Sequence, residues 1–227
     1  MQEDSDMSAW EIRIATVIAA LLVGVAPTPA QADIAPDLAP ELAITTLESL
    51  PVKGRAPKTG YTRAQFGPTW ADVDRNGCDT RNDILQRDLT EITYRPKTRN
   101  CLVESGNLVD RYSGEVINFK RGNISSMEVQ IDHVVALSNA WQTGAFKLDA
   151  LQRRALANDP LNLFAVKGRL NSQKGDGDAA TWLPPRKSFR CTYVSHQIAV
   201  KAKYSLWVTA PEKAAMKRIL GKCLSRD

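Results

Sequence analysis

Residues 127–137 read MEVQIDHVVAL. Their apolar start predicts a short strand over Met127–Asp132 that ends at the pair Asp132–His133. Successive side chains of a strand point to opposite faces, so these two side chains are expected to face different sides. The pair sets a hard oxygen ligand beside an imidazole base. Because the chain contains two histidines in all, this one is a candidate functional residue.

A second set of polar residues follows about thirty positions later in the chain. Asn162 opens a second apolar strand over Asn162–Val166, and a short helix is predicted over Gly168–Lys174, where Gly175 ends it. Asn171 lies on that helix, nine residues after Asn162. A unit of strand, strand and helix would gather a carboxylate, an imidazole, an amide and a lysine. These groups suffice to cut a phosphodiester with one divalent metal ion.

The residue types suggest a division of roles. His133 can take a proton from water if a carbonyl or amide holds its other ring nitrogen. Asp132 and the amide oxygen of Asn171 can bind one cation, and Mg²⁺ favours such oxygen ligands while keeping several waters. Mn²⁺ and Ca²⁺ are the alternatives to Mg²⁺ at this site. Taken singly, each residue also has an ordinary explanation: a strand-end contact, a turn or cap residue, or a charge at a helix end.

The rest of the chain predicts an α+β domain. Thr80–Asp83 resembles a capping box that opens a helix through about Ile92. Leu108–Phe119 predicts a β-hairpin, and Ser138–Ala157 is mostly helical. Two further helices are predicted, one near Val194–Val208 and one after Pro211.

The N-terminal part predicts export. Arg13 precedes an apolar stretch that ends in small residues, which indicates a signal peptide over residues 1–32. An uncleaved membrane anchor is the alternative, and Met7 competes with Met1 as initiator. Residues 33–60 predict a flexible linker with one short helix at Pro40–Leu50. Residues 61–227 then form the folded domain.

The four cysteines fit an oxidising compartment. They allow three pairings, and we favour Cys78–Cys101 and Cys191–Cys223 because each pair lies within one local block of sequence. Each such bond contributes roughly 2–4 kcal/mol in the chain-entropy account.

Charge indicates an anionic partner. Residues 1–32 hold four acidic side chains and one basic, so the remaining chain has 29 basic and 21 acidic side chains and a net charge of +8. Such an excess favours nucleic acid, heparin-like glycans or anionic surfaces, although it also promotes simple solubility. Scattered bases are candidates for a nucleic-acid surface: Arg95, Lys97, Arg99, Arg169, Lys174 and Arg186.

Several motifs together resemble a known family. Ile131–Val135, Asn162-Leu163 and Asn171 with Lys174 resemble the HNH motif of the His-Me finger (ββα-metal) endonucleases. The spacing of nine is similar to that in the HNH domain of RNA-guided CRISPR nucleases. Residues 77–82, residues 182–184 and the late cysteines resemble secreted bacterial HNH proteins related to the GmrSD C-terminal region, over roughly residues 61–223.

The resemblance implies a ββα-metal core at about residues 126–176. His133 would be the general base, Asp132 and Asn171 the metal ligands, Asn162 the residue that orders the loop, and Lys174 a phosphate contact. The final histidine of many HNH proteins is Asn171 here, which favours Mg²⁺ over Zn²⁺. The implied activity is an exported endonuclease that cuts DNA with low sequence specificity. RNA stays open as a substrate, and no stable membrane association is expected after signal cleavage.

Residues 72–83 offer a second metal site. Asp72, Asp74, Asn76 and Asp83 occupy positions one, three, five and twelve around Gly77, as in an EF-hand calcium loop. The favoured alternative is a polar turn that caps the next helix. The alternative function is that of a non-enzymatic exported module that binds calcium or a polyanion. Such a module would use this loop, but it would leave the spacing of the two asparagines unexplained.

Arg81 has a separate interpretation. In the first turn of the helix predicted from Thr80, its side chain and the free backbone N–H groups could hold a substrate phosphate. The alternative is a surface arginine paired with Asp79 or Asp83.

Overall fold

A computed structural model describes residues 39–123 and 125–225. The signal peptide expected over residues 1–32 lies outside these ranges, as do residues 33–38 of the expected linker. The described part is mixed α+β, with two small antiparallel sheets and two disulfide bonds. Both predicted pairings, Cys78–Cys101 and Cys191–Cys223, are confirmed.

The helices and strands follow one another in mixed order along the chain. The strands are β1 (Leu89–Tyr94), β2 (Val103–Val109), β3 (Val116–Lys120), β4 (Val129–His133) and β5 (Leu163–Lys167). The α-helices are α1 (Pro40–Ser49), α2 (Thr80–Asp88), α3 (Leu137–Gln142), α4 (Ala150–Asn158), α5 (Gly168–Lys174), α6 (Arg190–Lys203) and α7 (Ala210–Leu224).

The three-stranded sheet has the order β1-β2-β3, and all its pairs are antiparallel. Strands β2 and β3 form the predicted hairpin. The helix predicted through Ile92 is wrong beyond Asp88, because residues 89–94 form β1. Their β-branched and aromatic side chains favour a strand once β2 is available as a partner. The cap is also displaced by one residue, since the Asp79 side chain accepts the N–H of Asn82.

The two-stranded sheet carries the Asp-His pair at its end. Strands β4 and β5 are antiparallel, with Asp132 opposite Phe164 and His133 opposite Leu163. Strand β5 is buried on both faces, since Leu163 and Ala165 belong to one apolar cluster and Phe164 and Val166 to another. This double burial explains its unbroken apolar run.

Helix α5 begins directly after β5 and packs back on the same two strands. Gly168, its first residue, has no room for a side chain, because an added Cβ would lie 1.9 Å from the backbone oxygen of Met127. This close approach holds the start of α5 against the segment before β4. The β4–β5–α5 unit is the arrangement that the sequence predicted for the region of the Asp-His pair.

The segment expected to be a flexible linker is packed over its described part. The short helix predicted at Pro40–Leu50 is confirmed as α1, which buries Ala43 and Leu47 against α6 and α7. The Trp207 indole N–H donates to the backbone oxygen of Gly54. The linker prediction failed here because α1 has an apolar stripe that α6 and α7 cover.

The C-terminal helices differ in how well they were predicted. The capping box of Thr209 and Glu212 is confirmed at the start of α7. The preceding helix runs over Arg190–Lys203 rather than Val194–Val208. Cys191 and Cys223 join the two helices.

We expect Asp178→Asn to destabilise the fold at neutral pH by about 1–3 kcal/mol, since it removes the partner of a part-buried guanidinium. Asp178 binds Arg55 at 2.7 Å. Burial raises the pKa of Asp178, but the bond and charge of Arg55, together with hydrogen bonds from Ala180 and Thr181, outweigh it, so the pKa lies below its usual value. The carboxylate therefore stabilises the fold above its unfolded pKa, and this contribution disappears as the pH falls through the folded pKa.

Urea unfolding of the variant and the parent chain at pH 7 and pH 3 measures the difference between their free energies of unfolding. This difference should be smaller at pH 3 than at pH 7. Glu48→Gln is the control, because Glu48 pairs with Lys213 and Lys217 in an exposed setting. This substitution should lower the free energy of unfolding by less than Asp178→Asn does. Equal losses for Asp178→Asn at both pH values would contradict the assignment.

Candidate functional site

The end of β4, the loop after it and the end of α5 surround one cleft of about 260 Å³. Three of the residues proposed from the sequence line it: Asp132, His133 and Asn171. Tyr61 and Arg63, from the segment that precedes α2, complete one wall. We call this space the histidine cleft. The fold thus brings Tyr61 and Asn171 to one cleft although they lie 110 positions apart in the chain.

His133 is held by a single backbone acceptor. Its Nε2 lies 2.8 Å from the backbone oxygen of Ala157, at the end of α4. A carbonyl can only accept, so Nε2 carries the proton and Nδ1 keeps a free lone pair. Burial is the main cause that lowers the pKa of His133 from 6.5 to about 3, and the positive charge of Arg63 adds to it. The ring is therefore neutral at physiological pH.

An aromatic ring covers one face of the imidazole. The rings of Trp70 and His133 stack with centroids 5.8 Å apart and planes 9° from parallel. Trp70 has a φ of 57°, a left-handed conformation that costs a bulky residue on the order of 1 kcal/mol or more. The surrounding structure pays this cost and keeps the indole against the imidazole.

Asn162 joins the two segments that flank the histidine. Its side-chain oxygen accepts the N–H of Val135 at 2.8 Å, and its amide nitrogen donates to the backbone oxygen of Leu156 at 3.3 Å. Its own backbone oxygen accepts the N–H of Val134. Asn162 is fully buried, and its hydrogen bonds connect the loop after β4 with the end of α4.

Asp132 lies on the opposite face of β4, as alternation predicts. Its carboxylate is 4 % exposed and accepts two bonds, one from the Tyr112 hydroxyl and one from Lys174 Nζ at 2.9 Å. Burial raises the pKa of Asp132, and the Lys174 charge and the Tyr112 hydroxyl oppose that rise. Burial and the same carboxylate raise the pKa of Tyr112 well above its usual value. The hydroxyl therefore remains a donor.

The placement of Lys174 does not fit the predicted phosphate contact. Its side chain is fully buried. The ammonium group donates to Asp132 and to the backbone oxygen of His133 at 2.7 Å. A buried carboxylate needs a nearby cation, and this requirement places Lys174 inside the protein.

A chain of amides fixes the orientation of Asn171. The Gln130 amide nitrogen donates to the backbone oxygen of Met127 at 3.3 Å, so its Oε1 points away from that acceptor. This oxygen accepts the amide N–H of Asn171 at 2.9 Å. The polarity of the Asn171 amide is thereby set, and its oxygen is left as the group that can bind a cation.

Comparison with known proteins identifies the family. The sequence model described as GmrSD restriction endonucleases, C-terminal domain, matches residues 79–219, a range that includes Asp132, His133, Asn162 and Asn171. The chain belongs to this family. It is also 36 % identical over 204 residues to an uncharacterized secreted protein of Arthroderma benhamiae, covering 88 % of this chain and 95 % of that protein. No solved structure matches the chain significantly.

Membership of the GmrSD C-terminal domain family supports a nuclease-related, hydrolytic function with nucleic acid as substrate. The fungal relative is described as secreted, and the two disulfide bonds of this chain fit an oxidising compartment. Over residues 39–123 and 125–225, no helix is both long and apolar enough to cross a membrane.

The loop that offers a second metal site is closed by its own hydrogen bonds. Asp72 accepts the N–H of Gly77, and Asn76 bonds to both Asp74 and Asp83. In the described part of the chain, no group of three or more His, Cys, Asp or Glu is arranged to hold a metal ion. The loop bonds therefore support the favoured alternative, a turn that leads into α2 and carries Cys78.

The predicted substrate arginines lie in two other clefts. Arg81 donates to the backbone oxygen of Val129 at 3.2 Å and lines a cleft with Arg95 and Arg121. The N–H of Asn82 in the first turn is already taken by Asp79, so the predicted phosphate site at the start of the helix is partly filled. Arg169 is exposed and lines a cleft that also contains Glu115 and Glu128.

Four contributing residues were missed in the sequence: Arg63, Trp70, Tyr112 and Gln130. Gln130 stands two positions before Asp132, so strand alternation alone could have placed it on the same face. The other three reach the site through long-range packing, for which the sequence carries no local signal.

We expect Lys174→Met to lower the free energy of unfolding by about 3–5 kcal/mol, because it leaves the Asp132 carboxylate buried without its cation. A lysine that contacts substrate would leave stability unchanged. Combining it with Asp132→Asn should recover part of the loss. Lys203→Met is the control, since Lys203 is 53 % exposed in its pair with Asp159 and should cost about 0–1 kcal/mol. Urea unfolding compares all four chains, and equal costs for the two lysines would exclude the structural role.

Proposed function

We propose that this protein is an exported, metal-dependent HNH endonuclease that hydrolyses phosphodiester bonds in DNA with low sequence specificity. The observation that carries the proposal is the environment of His133. A backbone carbonyl fixes its tautomer, and its ring lies in the same cleft as Asp132 and Asn171. The order of β4, β5 and α5 along the chain supports a ββα-metal core over about residues 126–176.

His133 would act as the general base. Its free Nδ1 takes the proton of the attacking water, and the Ala157 carbonyl stabilises the imidazolium that forms. A pKa of about 3 makes the imidazole a weak base in the empty cleft. A substrate phosphate beside it raises the basicity, because a negative charge favours the protonated ring.

The donors in the cleft fit a hard divalent cation. Asn171 presents an amide oxygen whose direction Gln130 fixes. Asp132 uses one bond on each of its oxygens, and a carboxylate offers about four lone-pair sites. We propose that these two residues hold Mg²⁺, with Mn²⁺ and Ca²⁺ as the ions to compare. When bound, the ion would stabilise the charge that develops on the phosphate and the leaving oxygen.

Arg63 supplies the positive charge that Lys174 does not. It lines the histidine cleft, and its buried Nη1 has no hydrogen-bond partner within the described residues. An unpaired buried guanidinium N–H is costly, and a phosphate oxygen is its natural acceptor. We propose that Arg63 holds the scissile phosphate beside His133.

We expect His133→Ala to fold normally and to lower the rate of DNA cleavage by about 10²–10⁴-fold, the usual contribution of a positioned base. The test incubates the purified protein with plasmid DNA and, separately, with RNA, in the presence of Mg²⁺, Mn²⁺, Ca²⁺ or a chelator. Thermal unfolding checks that the variant keeps its structure.

His196→Ala is the matched control. It removes the other histidine, which binds the backbone oxygen of Leu161 outside the histidine cleft, and should keep the parent rate in a folded chain. Undiminished cleavage by His133→Ala would sink the proposed mechanism, and cleavage that the chelator leaves intact would remove the metal from it.

We expect Gln130→Met to raise the metal concentration needed for half-maximal cleavage by about 10–100-fold, the usual effect of losing a group that orients a ligand. Excess metal should restore much of the rate. Gln130→Glu keeps an acceptor for the Asn171 amide and should stay near the parent value. If both variants respond to metal as the parent does, Gln130 has no positioning role.

A further inference from the structure

A second cleft, of about 590 Å³, adjoins the histidine cleft. Its side chains include three arginines, Arg81, Arg95 and Arg121, together with Trp70 and Gln130. We call it the arginine cleft. Arg81 belongs to α2, Arg95 is the residue after β1 and Arg121 is the residue after β3, so long-range folding gathers them in one place.

Each arginine is anchored by part of its donor set. Arg81 donates through Nη2 to the backbone oxygen of Val129. Arg121 donates through Nε to the backbone of Val103 and through Nη2 to Asn82. A guanidinium carries five N–H donors, so these bonds hold the groups in place and leave other donors for a ligand.

Arg95 is the most accessible of the three. Its side chain is 52 % exposed, and its Nε binds Glu104 at 3.0 Å. The charges also act on one another, since burial and the charge of Arg121 lower the pKa of Arg81, against the opposing charge of Asp79. An anion placed among the three guanidinium groups would relieve this repulsion.

Two residues of the arginine cleft also touch the proposed reaction centre. Trp70 stacks on His133, and Gln130 binds Asn171. A ligand that fills the arginine cleft therefore lies one side chain away from both the proposed base and a proposed metal ligand. This adjacency distinguishes Arg81, Arg95 and Arg121 from the other basic residues of the surface.

We propose that the arginine cleft binds backbone phosphates of the nucleic-acid strand next to the bond that is cut. The inference rests on the proposed function and extends it by giving the strand a path from Arg63, past Trp70, to Arg81, Arg121 and Arg95. Guanidinium groups bind phosphate without reading base edges, so this path gives affinity and little sequence preference. Its binding should depend steeply on salt concentration.

The test removes single charges and measures the salt dependence of binding. Arg95→Gln and Arg121→Gln are compared with Arg218→Gln, which removes an exposed arginine of α7. Binding of a fluorescent oligonucleotide is followed by anisotropy at several salt concentrations, with every variant in a His133→Ala background to prevent cleavage. The same arginine variants with His133 restored give kcat and KM.

We expect each cleft variant to reduce the slope of log affinity against log salt by about 0.7–0.9, the loss of one phosphate contact. KM should rise while kcat at saturation stays near the parent value, and Arg218→Gln should leave both slope and KM unchanged. Slopes and KM values of Arg95→Gln and Arg121→Gln that equal those of Arg218→Gln would overturn the proposal.

Two further outcomes distinguish the proposed cleavage activity from phosphate binding in the arginine cleft. If the parent chain does not cut nucleic acid, the proposed function fails, while the binding slopes still decide whether the arginine cleft holds phosphates. If Arg121→Gln unfolds through loss of its bonds to Val103 and Asn82, Arg95→Gln decides the question, because its side chain is half exposed.

Discussion

The buried ion pair of Asp132 and Lys174 is the constraint on which the site depends. It joins the end of β4 to the end of α5, and the Tyr112 hydroxyl adds the turn between β2 and β3. Breaking one side of such a pair leaves a charge in a poorly solvated place. The pair therefore fixes the distance between strand and helix, and with it the position of Asn171 relative to His133. Tyr112 in turn packs edge-on against Tyr193 of α6, so the C-terminal helices support the same pair.

The ion pair also shows that Lys174 neutralises Asp132, whereas the sequence motif suggested that Lys174 contacts the substrate. A lysine three residues after Asn171 suggests a cation for the substrate, yet the fold uses that cation for its own carboxylate. Positive charge for the substrate must then come from other residues. Arg63 lines the histidine cleft, and Arg81, Arg95 and Arg121 line the next one. The site thus combines a buried ion pair, in which the opposite charges compensate each other, with basic clefts on the surface.

The sequence predicted features that local pattern determines and failed where distant residues meet. The apolar runs of β4 and β5, the start of α7 and the cysteine pairing follow from local spacing. The sequence predicts a helix through Ile92 because Leu89 and Ile92 fit a helical period, but a strand forms there because β2 supplies hydrogen-bond partners. The stacking of Trp70 on His133 could not be predicted either, because it depends on a contact between positions 63 residues apart.

One disulfide bond links the proposed export of the protein to the arginine cleft. Cys78 lies just before α2, which carries Arg81, and Cys101 lies in the loop between β1 and β2, close to Arg95. The backbone N–H of Arg95 donates to Leu102 within that loop. Closing this segment of 23 residues contributes roughly 3–4 kcal/mol in the chain-entropy account. His133, Asn171 and the buried ion pair lie on β4 and α5, which neither bond joins. An oxidising compartment therefore stabilises the arginine cleft directly, while the histidine cleft is held by the buried ion pair and by packing.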